Sequence, residues 1–276
     1  MSDYAGSYYS EDSSFKKISS FPAAAFETGA CYYEVMRVMN GNCLFIEDHL
    51  NRLQTSVSLS GLKYTFNIQE VSVIIRELIR QNTLINGNIR LVLKAMEGRL
   101  PVLYTYCVPF SYPARELYEQ GVPTAIFKIV RNNPNIKQFN HIYQQHVRDF
   151  MLKNNIYEAL LQDDLQCITE GSKSNVFFIR KECVMTAPGE KVLKGITREK
   201  VISLCNKLNY KLIECPISID TLPSMEAVFL SGTSPKILPV NRIDQTTYST
   251  GHAMMKNLIA AYDDLILEDI SLSRQG

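Results

Sequence analysis

The chain has 276 residues, 46% hydrophobic and 21% charged, the balance of an ordinary globular protein long enough for two modest domains or one large one. A formal net charge of +1 gives no electrostatic reason to expect nucleic acid or an anionic membrane as a partner. No apolar run is long enough to span a bilayer.

The N-terminal stretch "MSDYAGSYYSEDSSFKK" is polar and lacks the apolar core of a secretory signal. Its first dozen or so residues are expected to be poorly ordered. "FIEDHLNRLQTSVSLSGL" places Leu50, Leu53 and Val57 at helical spacing and closes on Gly61. "NIQEVSVIIRELIRQN" predicts a second helix, with Asn67 as N-cap, Glu70 three residues on, and Val71, Ile74, Ile75 and Leu78 as the apolar face. Strands are predicted near Ile89–Met96 and Val102–Val108, joined by the hairpin-like "EGRLP". "PFSYPARELYEQGVPT" clusters Pro109, Pro113, Gly121 and Pro123, which divides the chain into a small N-terminal domain over 1–112, a linker over 113–123 and a larger domain over 124–276. Both are expected to be α+β.

In the larger domain, strands are predicted at Thr124–Val130, Tyr157–Gln162, Asn175–Arg180, Val184–Ala187, Lys211–Pro216 and Ala227–Ser231. "ITREKVISLCNKLNY" reads as a helix with Val201, Leu204, Cys205 and Leu208 inward, and "GHAMMKNLIAAYDDLI" as a terminal one. Between the first two strands stands "NNPNIKQFNHIYQQHV", with Lys137 after a group of turn formers and ahead of an amphipathic, helical segment. A lysine there is ordinarily a solvated charge. Seven cysteines, an odd number without CxxC, lie mostly in apolar strings and read as small buried hydrophobes of a reducing compartment. His141 and His146, five apart, would point to different faces of a helix, and no metal site is expected.

"GACYYEV", "EDHLNRL", "IKQFN", "CITEGSKSNVFFI", "VLKGITREKVI" and "VFLSGTSPKILPV" follow one another in order. Together they resemble the fold-type-IV pyridoxal-phosphate enzymes, a family that holds branched-chain aminotransferase, D-amino acid aminotransferase and aminodeoxychorismate lyase. The resemblance runs from about Gly29 to Val240, and the family's usual opening strand is not visible before it. Such an enzyme needs an amine that condenses with the cofactor and moves a proton, a carboxylate at the ring nitrogen and a phosphate anchor. The resemblance assigns Lys137 to the first, delivered by the end of a strand, and Glu170 to the second. Gly195, Ile196 and Thr197 of "KGITREK", with Arg52 and Thr233, would hold the phosphate. Ser172, Ser174 and Asn175 would shape the loop around pyridoxal 5'-phosphate.

Tyr33, with Tyr32 beside it, and Arg90 would line the substrate site. Gly232 and Ser234 of "SGTSP" would receive the substrate carboxylate through backbone N–H groups. Asn140 fits the pattern KxxN. His141 replaces a frequent family tyrosine and could contact the cofactor or simply fill space. Glu97 stands where the D-amino acid branch carries a carboxylate-binding arginine, and Arg99 is shifted from it. The resemblance implies a D-amino acid aminotransferase-like fold of two α+β domains with the cofactor cleft between them, in a cytoplasmic homodimer. The activity expected is transfer of an amino group from a small or branched-chain amino acid to a 2-oxo acid such as 2-oxoglutarate. Aminodeoxychorismate lyase, a D-amino acid aminotransferase and a non-enzymatic protein of the same fold are the alternatives.

Overall fold

The computed structural model describes residues 4–273. The chain forms two compact units: Met1–Ser111 with Ile136–Phe139 and Ile266–Gly276, and Tyr112–Asn135 with Asn140–Leu265.

The first unit holds β1 (Ala5–Glu11), β2 (Ser14–Lys17), β3 (Cys31–Met39), β4 (Asn42–Cys43), α1 (Ile46–Leu59), α2 (Ile68–Gln81), β5 (Gly87–Lys94) and β6 (Val102–Val108). The strands make one antiparallel sheet in the order β2-β1-β6-β5-β3-β4. Along β3 the side chains alternate between its faces. Tyr32, Met36 and Val38 join a core with Leu50, Leu53 and Val57 of α1 and Val71, Ile75 and Leu78 of α2. The Asn67 side chain accepts from the N–H groups of Gln69 and Glu70, as expected of an N-cap. The opposite face carries a mainly aromatic cluster of Tyr9, Tyr104, Tyr106, Tyr33, Phe21 and Phe26.

Two sequence expectations fail at the start of the chain. The first dozen residues are not poorly ordered from Ala5 onward: β1 is an interior strand, and it is the opening strand that was not visible. The polar letters hide it because burial falls on only Tyr9 and Ser10, while the Asn82 side chain takes the N–H groups of Ser7 and Tyr8 at 2.7 and 3.0 Å. The three residues before Tyr4 lie outside the described residues.

The second unit contains α3 (Arg115–Gln120), β7 (Val122–Lys128), α4 (His141–Asn154), β8 (Glu158–Gln162), β9 (Cys167–Gly171), β10 (Asn175–Arg180), β11 (Cys183–Thr186), α5 (Ile196–Lys207), β12 (Lys211–Glu214), β13 (Ile217–Ser218), β14 (Ala227–Gly232), β15 (Lys236–Ile243) and β16 (Thr246–Thr247). The terminal α6 (Ala253–Ser273) belongs to it as far as Leu265. Its mixed sheet runs β12-β11-β10-β14-β15-β7-β8-β9-β13, with β16 paired to β15. The core is aliphatic and aromatic: Val122, Leu160, Val176, Phe178, Val228, Leu230, Leu238 and Val240. Strands β9 and β15 were not expected; a proline within β15, Pro239, and a glutamate within β9, Glu170, disguise them. Residues 113–123, read as a linker, contain α3 and the first residues of β7.

Lys137 is not at the tip of β7. The chain turns through Asn133, whose φ of 50° is left-handed, and Ile136–Phe139 runs along the free edge of β3. There Tyr33 N–H donates to the Lys137 carbonyl at 3.0 Å and Phe139 N–H to the Cys31 carbonyl at 3.0 Å.

Candidate active site

In the first unit the edge pairing decides where Lys137 points. The Tyr32–Gln138 bridge puts Lys137 and Phe139 on the face of Tyr33. Phe139 stacks on Tyr33 with centroids 4.1 Å apart, and Lys137 Nζ stands 4.8 Å from the Tyr33 centroid. The Arg90 guanidinium lies 5.3 Å from the Phe139 centroid. The Lys137 N–H also donates to Ser56 Oγ at 3.3 Å. Backbone bonds on both its N–H and its carbonyl thus fix the lysine, while its half-buried ammonium faces an aromatic surface. Lys137, Tyr33 and Arg90 are brought together; Glu97 and Arg99 lie in an exposed turn.

Arg52 sits on the opposite face, in a cluster that sequence reading missed. Its Nε donates to Glu34 Oε1 at 2.7 Å and its Nη2 to Oε2 at 2.5 Å, while His49 Nδ1 lies 2.7 Å from Oε2. Glu34 is fully buried. Burial pushes its carboxyl up, but the Arg52 charge and the hydrogen bonds from Arg52 and His49 outweigh that and bring it to about 2. His49 is held below its ordinary value, first by burial and then by the positive charges of Arg52 and Lys137, against the pull of Glu34. Arg52 was legible in its motif; His49 on the same helix and Glu34, fifteen residues upstream of His49 on a strand, gave no local signal.

In the second unit Glu170 lies on β9 and is 2% exposed. Arg131 Nη1 donates to its Oε1 at 2.5 Å, and Leu193 N–H to its Oε2 at 3.0 Å. Asn175 Nδ2 reaches Oε2 at 3.4 Å and the Leu193 carbonyl at 2.8 Å. The turn from Glu170 to Asn175 rests on buried Glu158 of β8, which accepts from the hydroxyls of Ser172 and Ser174 and from the Lys173 N–H. Desolvation pushes the Glu158 carboxyl up. Ser174 thus spends its hydroxyl on Glu158.

Gly195 is the N-cap of α5 and supplies no side-chain cap. A Cβ on it would stand 2.1 Å from Asn175 Oδ1, so no larger residue fits without displacing Asn175. The N–H groups of Ile196 and Thr197 lie in the first turn, where a helix offers them no internal partner. Thr197 Oγ1 is 3.2 Å from the Tyr262 hydroxyl. Ser231 Oγ, at the end of β14, is buried without a hydrogen-bond partner among the described residues. The turn it begins, Gly232–Thr233–Ser234, is held at Pro235 by the Tyr118 hydroxyl at 3.0 Å and just beyond by the Lys236–Asp263 ion pair. A glycine-capped helix start, an orphaned hydroxyl and a buried carboxylate are the donor and acceptor set that a phosphorylated pyridine fits. Asn140 caps α4 by accepting from Tyr143 N–H at 3.0 Å, and His141, next along, is exposed. Among the described residues no group of histidine, cysteine, aspartate or glutamate side chains could hold a metal ion. All seven cysteines are free and five are buried.

A model of the amino-transferase class IV family matches residues 32–243. The D-alanine aminotransferase of Bacillus licheniformis is 29% identical over 259 residues, 88% of this chain and 90% of that protein. A putative branched-chain-amino-acid aminotransferase of Methanocaldococcus jannaschii is 25% identical over 237 residues, 80% and 82% of the two. Among solved structures, the branched-chain amino acid aminotransferase of Escherichia coli has a TM-score of 0.86 at 22% identity over 95% of each chain. A putative 4-amino-4-deoxychorismate lyase of Legionella pneumophila has a TM-score of 0.77 at 20% identity, over 85% of this chain and 90% of that one. The last two likenesses concern the fold.

Proposed function

The chain belongs to the class IV amino-transferase family, and on that premise we propose that it uses pyridoxal 5'-phosphate to move an amino group from a small or branched-chain apolar amino acid to a 2-oxo acid such as 2-oxoglutarate. The observation that carries this reading is Lys137, fixed by backbone bonds on both sides with its ammonium over Tyr33. When bound, the cofactor supplies an aldehyde for the amine and a ring that delocalises the electrons left at the substrate Cα.

The protein groups then divide the work. Lys137 Nζ would hold the cofactor through its aldehyde and would move the proton at the substrate Cα. Glu170, a buried carboxylate among N–H donors, keeps a proton at the ring nitrogen. The N–H groups of Ile196 and Thr197, with the hydroxyls of Thr197 and Thr233 and with Arg52, bind the phosphate, and Gly195 lets the chain approach it. Ser174 and Asn175 act through the turn they build. Tyr33 forms an apolar wall, and Arg90 with the N–H groups of Gly232 and Ser234 takes the substrate carboxylate. The chain works as a cytoplasmic homodimer. Among its described residues no helix is long and apolar enough to cross a membrane.

Borohydride reduction of the purified protein incubated with pyridoxal 5'-phosphate, followed by peptide mapping, tests the assignment. Label on Lys137 supports it, and label on Lys194 sinks it. An amino-donor panel tests the substrate. An apolar wall separates neighbouring aliphatic side chains weakly, by about 1–3 kcal/mol per methylene, so L-leucine, L-isoleucine and L-valine should all react. Exposed Glu97, where a carboxylate arginine would stand, argues against D-alanine. The identity to a D-alanine aminotransferase favours a D-amino acid reading as the second, and faster conversion of D-alanine than of any branched L-amino acid would establish it. Pyruvate released from aminodeoxychorismate, with neither amino acid class converted, would identify a lyase.

A further inference from the structure

Arg131 stands in the irregular stretch between β7 and α4, where nothing in the sequence marks it. Its Nη1 donates to Glu170 Oε1 at 2.5 Å, and its guanidinium carbon lies 5.9 Å from the centroid of the Tyr143 ring on α4. Glu170 is 2% exposed, and the Arg131 side chain is 24% exposed. The other two donors described above, the Asn175 amide and the Leu193 N–H, are neutral. A carboxylate removed from water is disfavoured as an anion unless a counter-charge compensates it. Arginine does not lose its proton in a protein, so its compensation does not vary with pH.

Resting on the reading that Glu170 keeps a proton at the ring nitrogen of pyridoxal phosphate, we infer that Arg131 is the positioning residue for Glu170, holding it charged and oriented for that bond. Tyr143 supports the guanidinium by presenting its ring face. The other titratable groups on the elements around Glu170 are Glu158, Lys173, Lys194 and Tyr143. Glu158 of β8 spends its carboxylate on the turn at Ser172 and Ser174. Lys173 is exposed in that turn, Lys194 follows Leu193, and the Tyr143 hydroxyl reaches the Ser172 carbonyl at 3.5 Å. Without Arg131 the buried carboxyl is better accommodated with a proton, and a neutral carboxyl no longer offers the ring nitrogen a negative partner. The defect should therefore depend on pH, whereas a structural brace would be missed equally at every pH.

The test is the dissociation constant of pyridoxal 5'-phosphate, measured by titration calorimetry at about pH 6 and about pH 9 for the wild type, R131M, R131K and the same changes on E170Q. R131M is expected to bind roughly tenfold more weakly than wild type at the lower pH and within about threefold at the higher, a tenfold change matching one unit of proton affinity. R131K should stay within about threefold at both, and R131M should add no pH-dependent loss on E170Q, since coupled sites are non-additive. Circular dichroism confirms the fold; if R131M does not fold, R131Q takes its place with the same expected pattern. Equal weakening at both pH values, or no weakening at all, would overturn the role. A wild type that binds no cofactor at either pH would overturn the reading beneath it, and this is a different result from either.

Discussion

The charged side chains that matter most are buried ones, and each makes a prediction through its partner. Glu170→Gln is nearly isosteric, so the fold should persist, but the ring nitrogen would lose its anionic partner. Turnover should fall by on the order of 3–5 kcal/mol of barrier, as for loss of a main electrostatic stabiliser, and near-normal turnover by stopped-flow would place that carboxylate elsewhere. The cluster of Glu34, His49 and Arg52 concerns stability. Glu34 is depressed from 4.5 to about 2 in the folded protein, so its contribution is present above about pH 5 and lost as the pH falls through 2. A shift of that size is worth on the order of 3 kcal/mol. His49 acts in the same direction, because its folded value lies below the unfolded one and acid favours the chain that can protonate it. Urea unfolding should show a decline from pH 7 to pH 3 that is flattened in Glu34→Gln, whatever the cofactor content. Lys137 and Arg52 were both legible in short strings of sequence. Glu34 and Arg131 were not, because an ion pair between distant residues leaves no local pattern.

At the scale of elements, helix starts are where sequence and structure agree best. The Asn67 side chain caps α2 by accepting two N–H groups, and Asn67→Ala should lower stability by about 1 kcal/mol in urea titration. Gly195 caps α5 without a side chain, for a different reason. The Asn175 amide oxygen occupies the space where a Cβ would go, and the same amide bonds Leu193 and Glu170. Gly195→Ala should therefore weaken pyridoxal-phosphate binding far more than it lowers the melting temperature. If the melting temperature falls and affinity is kept, the glycine serves packing alone. Signals of this kind are local: a cap needs only its own turn. Strands β9 and β15 escaped notice since Glu170 and Pro239 contradict strand propensity, and pairing with neighbours far along the chain overrides it.

For the molecule as a whole, the outcome most at odds with the sequence is the N-terminus. β1 lies between β2 and β6, and Tyr9 on it is 2% exposed. Removing residues 1–17 would strip two strands, open the edge of β6 and uncover its aromatic face. The truncated chain should be largely insoluble on expression, and a soluble, cooperatively melting product would mean that β1 is dispensable. The sequence by itself determined the α+β composition, helices α1, α2 and α5, the strands with continuous apolar runs, and the run of motifs that led to the class IV family. It could do so since amphipathic periodicity, caps and contiguous motifs are written within a few residues. Only the tertiary structure decided that Ile136–Phe139 joins the sheet of the first unit, that Arg52 meets Glu34, and that Arg131 meets Glu170. Each of these depends on bringing together residues separated by a strand, a helix or more, and the free energy of such contacts comes from burial and charge compensation that no single stretch of chain can express.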